Sequence, residues 1–119
     1  MDIYREEILD HYKNPRNSGR LTNPTKSVHE ENTMCGDALD LDILVEGNVV
    51  KDIRIQGNGC AISVAASSIL SEMVKDKSLD EVRKISKEQV LERVNPNMSA
   101  GREKCATLSY NALQKAIQK

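Results

Sequence analysis

The spacing of hydrophobic residues changes along the chain, and each spacing predicts a different element. Apolar residues at near-helical spacing predict an amphipathic helix over residues 2–13, which ends at the Asn, Pro and Gly residues of segment 14–19. Apolar and polar residues alternate over segments 39–45 and 53–56, and Gly47-Asn48 between them is typical of a two-residue hairpin turn. Together with residues 27–32, a third candidate strand, these segments predict an antiparallel sheet.

The second half of the chain contains only helical patterns. After Gly57-Asn58-Gly59 the apolar residues recur with a helical period, and a second face carries small residues for which close helix packing is expected. Capping-box patterns, Ser78 with Glu81 and Ser86 with Gln89, predict two short helices. Segment 95–97 then interrupts the chain before a last helix predicted over residues 100–118.

The order of these elements predicts the fold class. One helix, three antiparallel strands and four further helices (α-β-β-β-α-α-α-α) describe an α+β protein with helices packed on a three-stranded sheet. A chain of 119 residues is long enough for one hydrophobic core and too short for two. We therefore expect a single domain over residues 1–119.

Charge and hydropathy exclude several classes of function. The chain has 17 Lys and Arg against 18 Asp and Glu, and the positive residues are dispersed, so binding to nucleic acid is not expected. No apolar run approaches the roughly 18 residues of a membrane span. We expect a cytoplasmic protein with no membrane partner, and the sequence leaves open a homo-oligomer.

Three cysteines lie where predicted elements begin or end. Cys35 precedes the second strand, Cys60 begins the long helix after the third strand, and Cys105 lies in the first turns of the predicted last helix. Gly36 and Gly59 flank two of them and allow backbone turns that present a side chain. The helix N-terminus at Cys60, and Arg102 and Lys104 near Cys105, favour the thiolate form. The histidines, His11 and His29, have no ligand spacing to a cysteine, so surface or packing roles are expected.

The cysteines allow several interpretations. A single cysteine is most often a small buried hydrophobic residue. A structural disulfide is disfavoured, because the number of cysteines is odd and thiols in the cytosol are normally reduced. Zinc modules usually have short Cys-x₂₋₄-Cys spacings, which this chain lacks. Asp37, two residues after Cys35, offers a carboxylate as a fourth ligand on the same side of an extended segment. We therefore interpret Cys35, Asp37, Cys60 and Cys105 as a centre for iron or zinc, in which the carboxylate is the weaker ligand.

Four segments closely resemble the family of iron–sulfur cluster assembly scaffolds that includes IscU, SufU and the NifU N-terminal domain. They are ILDHYKNPRNSG at 8–19, CGD at 35–37, GNGCAISVAASS at 57–68 and REKCATL at 102–108, which occur in the family's order over nearly the whole chain. The resemblance implies a SufE/NifU-like fold. Cys35, Cys60 and Cys105 match the family's three cysteines, Asp37 matches the aspartate that makes the bound cluster labile, and Cys105 matches the main persulfide acceptor.

Two departures from the family pattern concern the neighbourhood of Cys105. IscU has a histidine immediately before the third cysteine and an LPPVK segment that a chaperone recognises, whereas this chain has Lys104 and no such segment. SufU shares the Arg-x-Lys-Cys pattern but carries an insertion between its second and third cysteines. Lys104 is either a solvated helix residue or a residue beside the site that pairs with Asp37 or offsets the negative charge of a cluster.

Three functions follow from these observations. The leading one is a scaffold, not itself an enzyme, on which a transient [2Fe–2S] cluster is built and then passed to apo-proteins. The resemblance implies two partners, a pyridoxal-phosphate cysteine desulfurase as sulfur donor and a ferredoxin-like electron donor. The second is a zinc-dependent sulfur transferase that passes persulfide to another scaffold. The third is a structural zinc or interaction domain, which the labile ligand Asp37 disfavours.

Overall fold

The computed structural model describes residues 3–33 and 36–118. Its elements are α1 (Ile3–Lys13), β1 (Lys26–Asn32), β2 (Asp37–Glu46), β3 (Val49–Asn58), α2 (Ala61–Val74), α3 (Leu79–Arg83), α4 (Lys87–Val94), α5 (Ala100–Ala106) and α6 (Leu108–Ile117). The strands form one antiparallel sheet in the order β1-β2-β3. The predicted α+β class is confirmed. Along the described segments, no helix is long and apolar enough to cross a membrane.

The hairpin between β2 and β3 forms as the sequence predicts. Gly47 and Asn48 both have positive φ, 58° and 63°, which is the backbone of a two-residue turn with the twist that antiparallel strands require. The pairing shifts by one residue between Leu44 and Val45. Alternate residues of both strands, among them Leu41 and Ile53, are fully buried against the helices and form the core.

Helix α2 is the central helix of the structure. It contacts α1, β3, α4, α5 and α6. Its serines, Ser63, Ser67, Ser68 and Ser71, are all buried, so the expected role of this small-residue face in close packing is confirmed. Ser68 and Ser71 also hold the loop after α1, because the Ser68 hydroxyl accepts the Arg16 N–H at 2.8 Å and the Ser71 hydroxyl accepts the Asn17 side-chain amide at 3.0 Å.

Two features differ from the sequence-based expectation. The last helix is divided at Thr107 (φ −106°, ψ 3°), so five helices rather than four follow the sheet over the described residues. The break lets α5 pack on α2 and α4 while α6 packs on β1 and β2. Asp42, which the strand alternation assigns to the solvent face, is buried because the loop before β1 and the start of β1 cover it. Arg20 and the Leu21 N–H from the loop, and the Ser27 hydroxyl from β1, all donate to its carboxylate.

His11 is a buried side chain that connects α1 to α2. Its Nδ1 lies 2.7 Å from the Ser68 hydroxyl, and its Nε2 lies 3.6 Å from Glu72 and 3.9 Å from Glu7. Burial lowers the pKa of His11, and the Arg16 charge lowers it further, against the opposite effect of Glu72, Glu7 and Asp10. His29 is exposed, and hydrogen bonds to Glu31 and Asp40 raise its pKa. Both histidines thus have the surface or packing roles expected of them.

The two histidines should therefore titrate on opposite sides of the ordinary value of about 6.5. We expect an NMR pH titration to give a pKa below this value for His11 and above it for His29. Because folding disfavours the charged form of His11, its effect on the free energy of unfolding should be a loss of stability as the pH falls below about 6.5. His29 acts in the opposite sense, since its stabilising contribution is present at low pH and lost as the pH rises through its folded pKa. A His11 pKa equal to that of His29 would contradict the packing described here.

Candidate metal centre

Three chemically suited side chains meet at one end of the fold. Asp37 is the first residue of β2, Cys60 is the N-cap residue of α2, and Cys105 lies in the last turn of the short helix α5. A carboxylate oxygen of Asp37 and the sulfur atoms of Cys60 and Cys105 all lie within 4.8 Å of one another. The structure thus brings together residues that are 23 and 45 positions apart in the sequence.

The separations of these atoms are compatible with a shared metal ion. Two thiolates bound tetrahedrally at about 2.3 Å from zinc would lie roughly 3.8 Å apart. The ligand atoms described here, up to 4.8 Å apart, would therefore have to approach one another by about 1 Å or less to share one zinc ion. Thiolate and carboxylate ligands suit zinc and iron. Their role as ligands remains a prediction, and so does that of Cys35, which lies outside the described residues.

The carboxylate of Asp37 is held at the start of α2. It is 4% exposed, accepts the Cys60 backbone N–H at 3.3 Å and lies 3.9 Å from the Cys60 thiol, which donates to it. The Cys60 side chain does not cap its own helix. Asp37 therefore supplies the negative charge that the N-terminus of this 14-residue helix favours.

Gly59 permits this approach of Asp37 to α2. A Cβ atom on Gly59 would stand 3.0 Å from the Asp37 Oδ1 and 3.0 Å from both Cβ and Oγ of Ser63. A side chain at this position would therefore require the Asp37 carboxylate and the Ser63 side chain to move by a few tenths of an ångström. Gly36, the other predicted neighbour, has φ of 73°, and its N–H bonds to the Asn32 carbonyl at 2.9 Å as the chain enters β2.

The two described cysteines differ in exposure. Cys60 is exposed, whereas Cys105 is 8% exposed. Both line a shallow recess together with Ser99, Gly101 and Arg102. Arg102 places a positive side chain at the same recess as the two cysteines, and a positive charge attracts thiolates, as the sequence analysis expects near Cys105.

Lys104 lines a different recess. It lies with Glu30, Glu31 and Thr33, between the end of β1 and the α5–α6 region. Its side chain is exposed. A contribution of Lys104 to the metal centre therefore stays a prediction.

The steric role of Gly59 could not be found from the sequence. The only signal was its position beside Cys60, which suggested backbone freedom. The contact with Asp37 depends on the meeting of the β3–α2 turn with the start of β2, and no local pattern encodes that meeting.

Comparison with known proteins places the whole described chain within one family. The sequence model described as "NifU-like N terminal domain" matches residues 3–119. The zinc-dependent sulfurtransferase SufU of Bacillus subtilis is 34% identical over 98% of this chain and 90% of its own. The iron–sulfur cluster assembly scaffold protein IscU of Escherichia coli K12 is 34% identical over 96% of this chain and 91% of its own.

Solved structures have the same fold. A crystal structure of a protein described only as hypothetical has a TM-score of 0.82, with 30% identity and 98% of each chain covered. A crystal structure of a putative iron–sulfur cluster assembly scaffold protein for the SUF system, from Fervidobacterium islandicum AW-1, also has a TM-score of 0.82, with 24% identity over 95% of each chain. The second likeness concerns the fold alone.

The alignments with these two relatives differ in length. The alignment with the Bacillus subtilis protein extends over 140 residues, which is more than the 119 residues of this chain. The Bacillus subtilis protein therefore contains segments that have no counterpart here. The alignment with the Escherichia coli protein extends over 118 residues.

Replacement of Gly59 by alanine tests the arrangement of the centre. We expect Gly59→Ala to lower zinc affinity on the order of tenfold, because the new methyl group displaces the Asp37 carboxylate from its position. Competition with a chromophoric chelator measures this change, and circular dichroism checks that the variant is folded. Gly101→Ala is the matched control, because a Cβ at Gly101 would meet nothing within 4 Å. Equal affinities in the two variants would show that the Gly59 contact is irrelevant to metal binding.

Proposed function

The chain belongs to the family of NifU-like N-terminal domains, and we propose that it is a cytoplasmic scaffold for the assembly of iron–sulfur clusters. In this proposal a [2Fe–2S] cluster is the cargo, built on the protein from iron and sulfur and then transferred to apo-proteins. The observation that carries the proposal is the convergence of Asp37, Cys60 and Cys105 within 4.8 Å. Relatives named as such scaffolds, 34% identical over nearly the full chain, support it.

The proposed ligands are Cys35, Asp37, Cys60 and Cys105. Thiolates bind iron strongly, and a single carboxylate among them is a harder and more exchangeable ligand. The position of Asp37 supports this role, because the carboxylate has a second favourable partner in the Cys60 N–H at 3.3 Å. The carboxylate can therefore leave the metal without losing all of its hydrogen bonding.

Sulfur delivery is assigned to Cys105. Its thiolate would attack the outer sulfur of a donor persulfide, so that a Cys105 persulfide forms and the donor cysteine leaves as thiolate. Because Cys105 is only 8% exposed, the donor has to reach it through the recess that Ser99, Gly101 and Arg102 line. The donor class is a pyridoxal-phosphate cysteine desulfurase.

Reduction of the persulfide to sulfide requires two electrons. We assign them to an external donor of the ferredoxin class, since the role of this chain is to hold the ligands and to control access. The recipients are apo-proteins with free cysteine ligands.

A second candidate function is a zinc-dependent sulfur transferase. The Bacillus subtilis relative with that name is 34% identical over 98% of this chain, and Lys104 replaces the histidine expected before the third cysteine of IscU. In that case the same residues would hold zinc. Bound zinc would keep its cysteine ligands in the thiolate form near neutral pH. Persulfide would then pass through Cys105 to another scaffold without cluster assembly.

One anaerobic experiment separates these functions. The protein is incubated with iron, cysteine and a desulfurase, and the visible absorption and desulfurase turnover are recorded. Thiolate-to-iron charge-transfer bands indicate the scaffold, faster turnover without colour indicates the transferase, and neither effect indicates a structural zinc or interaction domain.

Within this experiment, Cys60→Ser should lose stable cluster assembly. Serine does not offer an ionised ligand at neutral pH, so the iron is left open to water. Ser99→Ala, which changes a neighbouring residue of the recess that is not a proposed ligand, is the control and should assemble the cluster normally. A Cys60→Ser protein that reconstitutes as well as the parent would refute the ligand set.

Replacement of Asp37 tests whether its carboxylate is the exchangeable ligand that lets the cluster leave. Asp37→Ala should still collect a cluster, through the cysteines and an outside ligand, but should release it to an apo-ferredoxin more slowly, because the exchangeable ligand is gone. Anaerobic transfer rates from the two loaded proteins measure this effect. Lys104→Ala should change the rate only if Lys104 pairs with Asp37. Equal rates for the parent and Asp37→Ala would assign Asp37 to an ordinary structural role.

A further inference from the structure

The junction between β3 and α2 contains the dipeptide Asn58-Gly59. Asn58 is the last residue of β3, and α2 begins at Ala61. The carboxamide of an asparagine can be attacked by the backbone nitrogen of the next residue, and a Cβ on that residue hinders the attack. Of all the asparagines in this chain, only Asn58 is followed by glycine, which has no Cβ, and three others precede proline, which has no backbone N–H. Asn58 is therefore the asparagine whose carboxamide is least shielded from its neighbour.

The two groups that would react are accessible in the structure. Asn58 and Gly59 are both exposed. Among the residues that the structure describes, neither the Asn58 carboxamide nor the Gly59 N–H has a hydrogen-bond partner. Ring closure requires the Gly59 nitrogen to lose its hydrogen and turn toward the Asn58 side chain. No hydrogen bond within the described part of the chain has to break for this movement.

Asn48 provides a contrast within the same chain. It is exposed in the turn between β2 and β3, as Asn58 is exposed at the end of β3. The residue after Asn48 is Val49, whose branched side chain stands beside the nitrogen that would attack. Solvent exposure thus does not distinguish the two asparagines, whereas the following residue does.

The position of this junction gives the reaction a consequence for the metal centre. A Cβ on Gly59 would stand 3.0 Å from the Asp37 Oδ1, and the Cys60 N–H donates to the same carboxylate at 3.3 Å. Isoaspartate at position 58 would carry the main chain through its side-chain carbonyl, which adds one carbon–carbon bond of about 1.5 Å directly before Gly59. Because the contacts with Asp37 are already close, this extra length changes the position of Cys60 relative to the carboxylate.

We propose that Asn58 is a site of spontaneous deamidation and that its isoaspartyl product impairs the candidate metal centre. The effect on the centre rests on the proposed function, whereas the modification itself does not. In the first step the Gly59 nitrogen forms a bond to Cγ of Asn58, the bond from Cγ to the amide nitrogen breaks, and ammonia leaves with the Gly59 hydrogen. Water then opens the cyclic imide, at Cγ to give aspartate or at the main-chain carbonyl carbon to give isoaspartate. No electron is transferred.

A bound metal ion slows this reaction. Ligation of one ion by Asp37 and Cys60 fixes the residue after Gly59 and the carboxylate that faces it, whereas ring closure requires the Gly59 nitrogen to move. A ligand that binds the native arrangement lowers the population of locally opened forms. The empty scaffold is therefore modified faster than the loaded one.

Mass spectrometry of the digested protein tests the modification directly. The parent is kept in neutral buffer, metal-free or zinc-loaded, and sampled over several days. In the metal-free protein, Asn58 should convert to the acid form on the order of tenfold faster than Asn48, because the branched side chain of Val49 hinders the attack there. Methylation by a protein isoaspartyl methyltransferase identifies the isoaspartate. The zinc-loaded protein should form this product several-fold more slowly.

Two substitutions at position 58 separate the effect of charge from that of chain length. Asn58→Gln keeps a carboxamide but would need a six-membered ring, so it should retain its amide and its zinc affinity through the same incubation. Asn58→Asp has the charge of the product without the longer main chain, and a negative charge near a cation does not weaken binding. Freshly purified Asn58→Asp should bind zinc as tightly as the parent. The deamidated fraction of the aged parent, isolated by ion exchange, should bind zinc on the order of tenfold more weakly in chelator competition.

The inference and the proposed function fail in different ways. An Asn58 that keeps its amide as long as Asn48 does would overturn the modification site. Parental zinc affinity in the deamidated fraction, or an equal loss of affinity in Asn58→Asp, would overturn the role of the lengthened chain, and equal rates with and without zinc would overturn the protection. Failure of the parent to bind zinc would instead contradict the metal centre on which the proposed function depends, and mass spectrometry would still decide whether Asn58 is deamidated.

Discussion

The candidate centre depends on the close approach of the first residue of β2 to the first turn of α2. Two glycines make this approach possible. A Cβ on Gly57 would lie 2.1 Å from the Ala38 carbonyl oxygen, and one on Gly59 would lie 3.0 Å from the Asp37 carboxylate. Without these side-chain-free positions, β3 could not turn into α2 so near to β2.

The remaining fold supports this junction. Helix α2 has buried serines that allow α1 and its following loop to pack closely against it. The break at Thr107 separates α5 from α6, so α5 can lie on α2 and bring Cys105 to the start of that helix while α6 covers the sheet. This packing positions the carboxylate and the two thiols, and the two cysteines line the recess beside Arg102.

Local features of this fold could be read from the sequence, and features that depend on distant contacts could not. The Gly47-Asn48 turn and both capping boxes follow from residue types a few positions apart, and the structure contains each of them. The helix break at Thr107 follows no local signal, since the apolar period continues through it. The burial of Asp42 depends on Arg20, 22 residues earlier. For the centre, residue chemistry and family resemblance indicated the ligands, but only the fold brings Gly59 against Asp37.

The central claim is that one carboxylate and the cysteines share a single metal ion. X-ray absorption at the zinc edge of the zinc-loaded protein tests it most directly. The account predicts three sulfur scatterers at about 2.3 Å and one oxygen at about 2.0–2.2 Å, with the oxygen contribution changed in Asp37→Ala. A first shell of nitrogen and oxygen alone, or one that is identical in the parent and Asp37→Ala proteins, would contradict it.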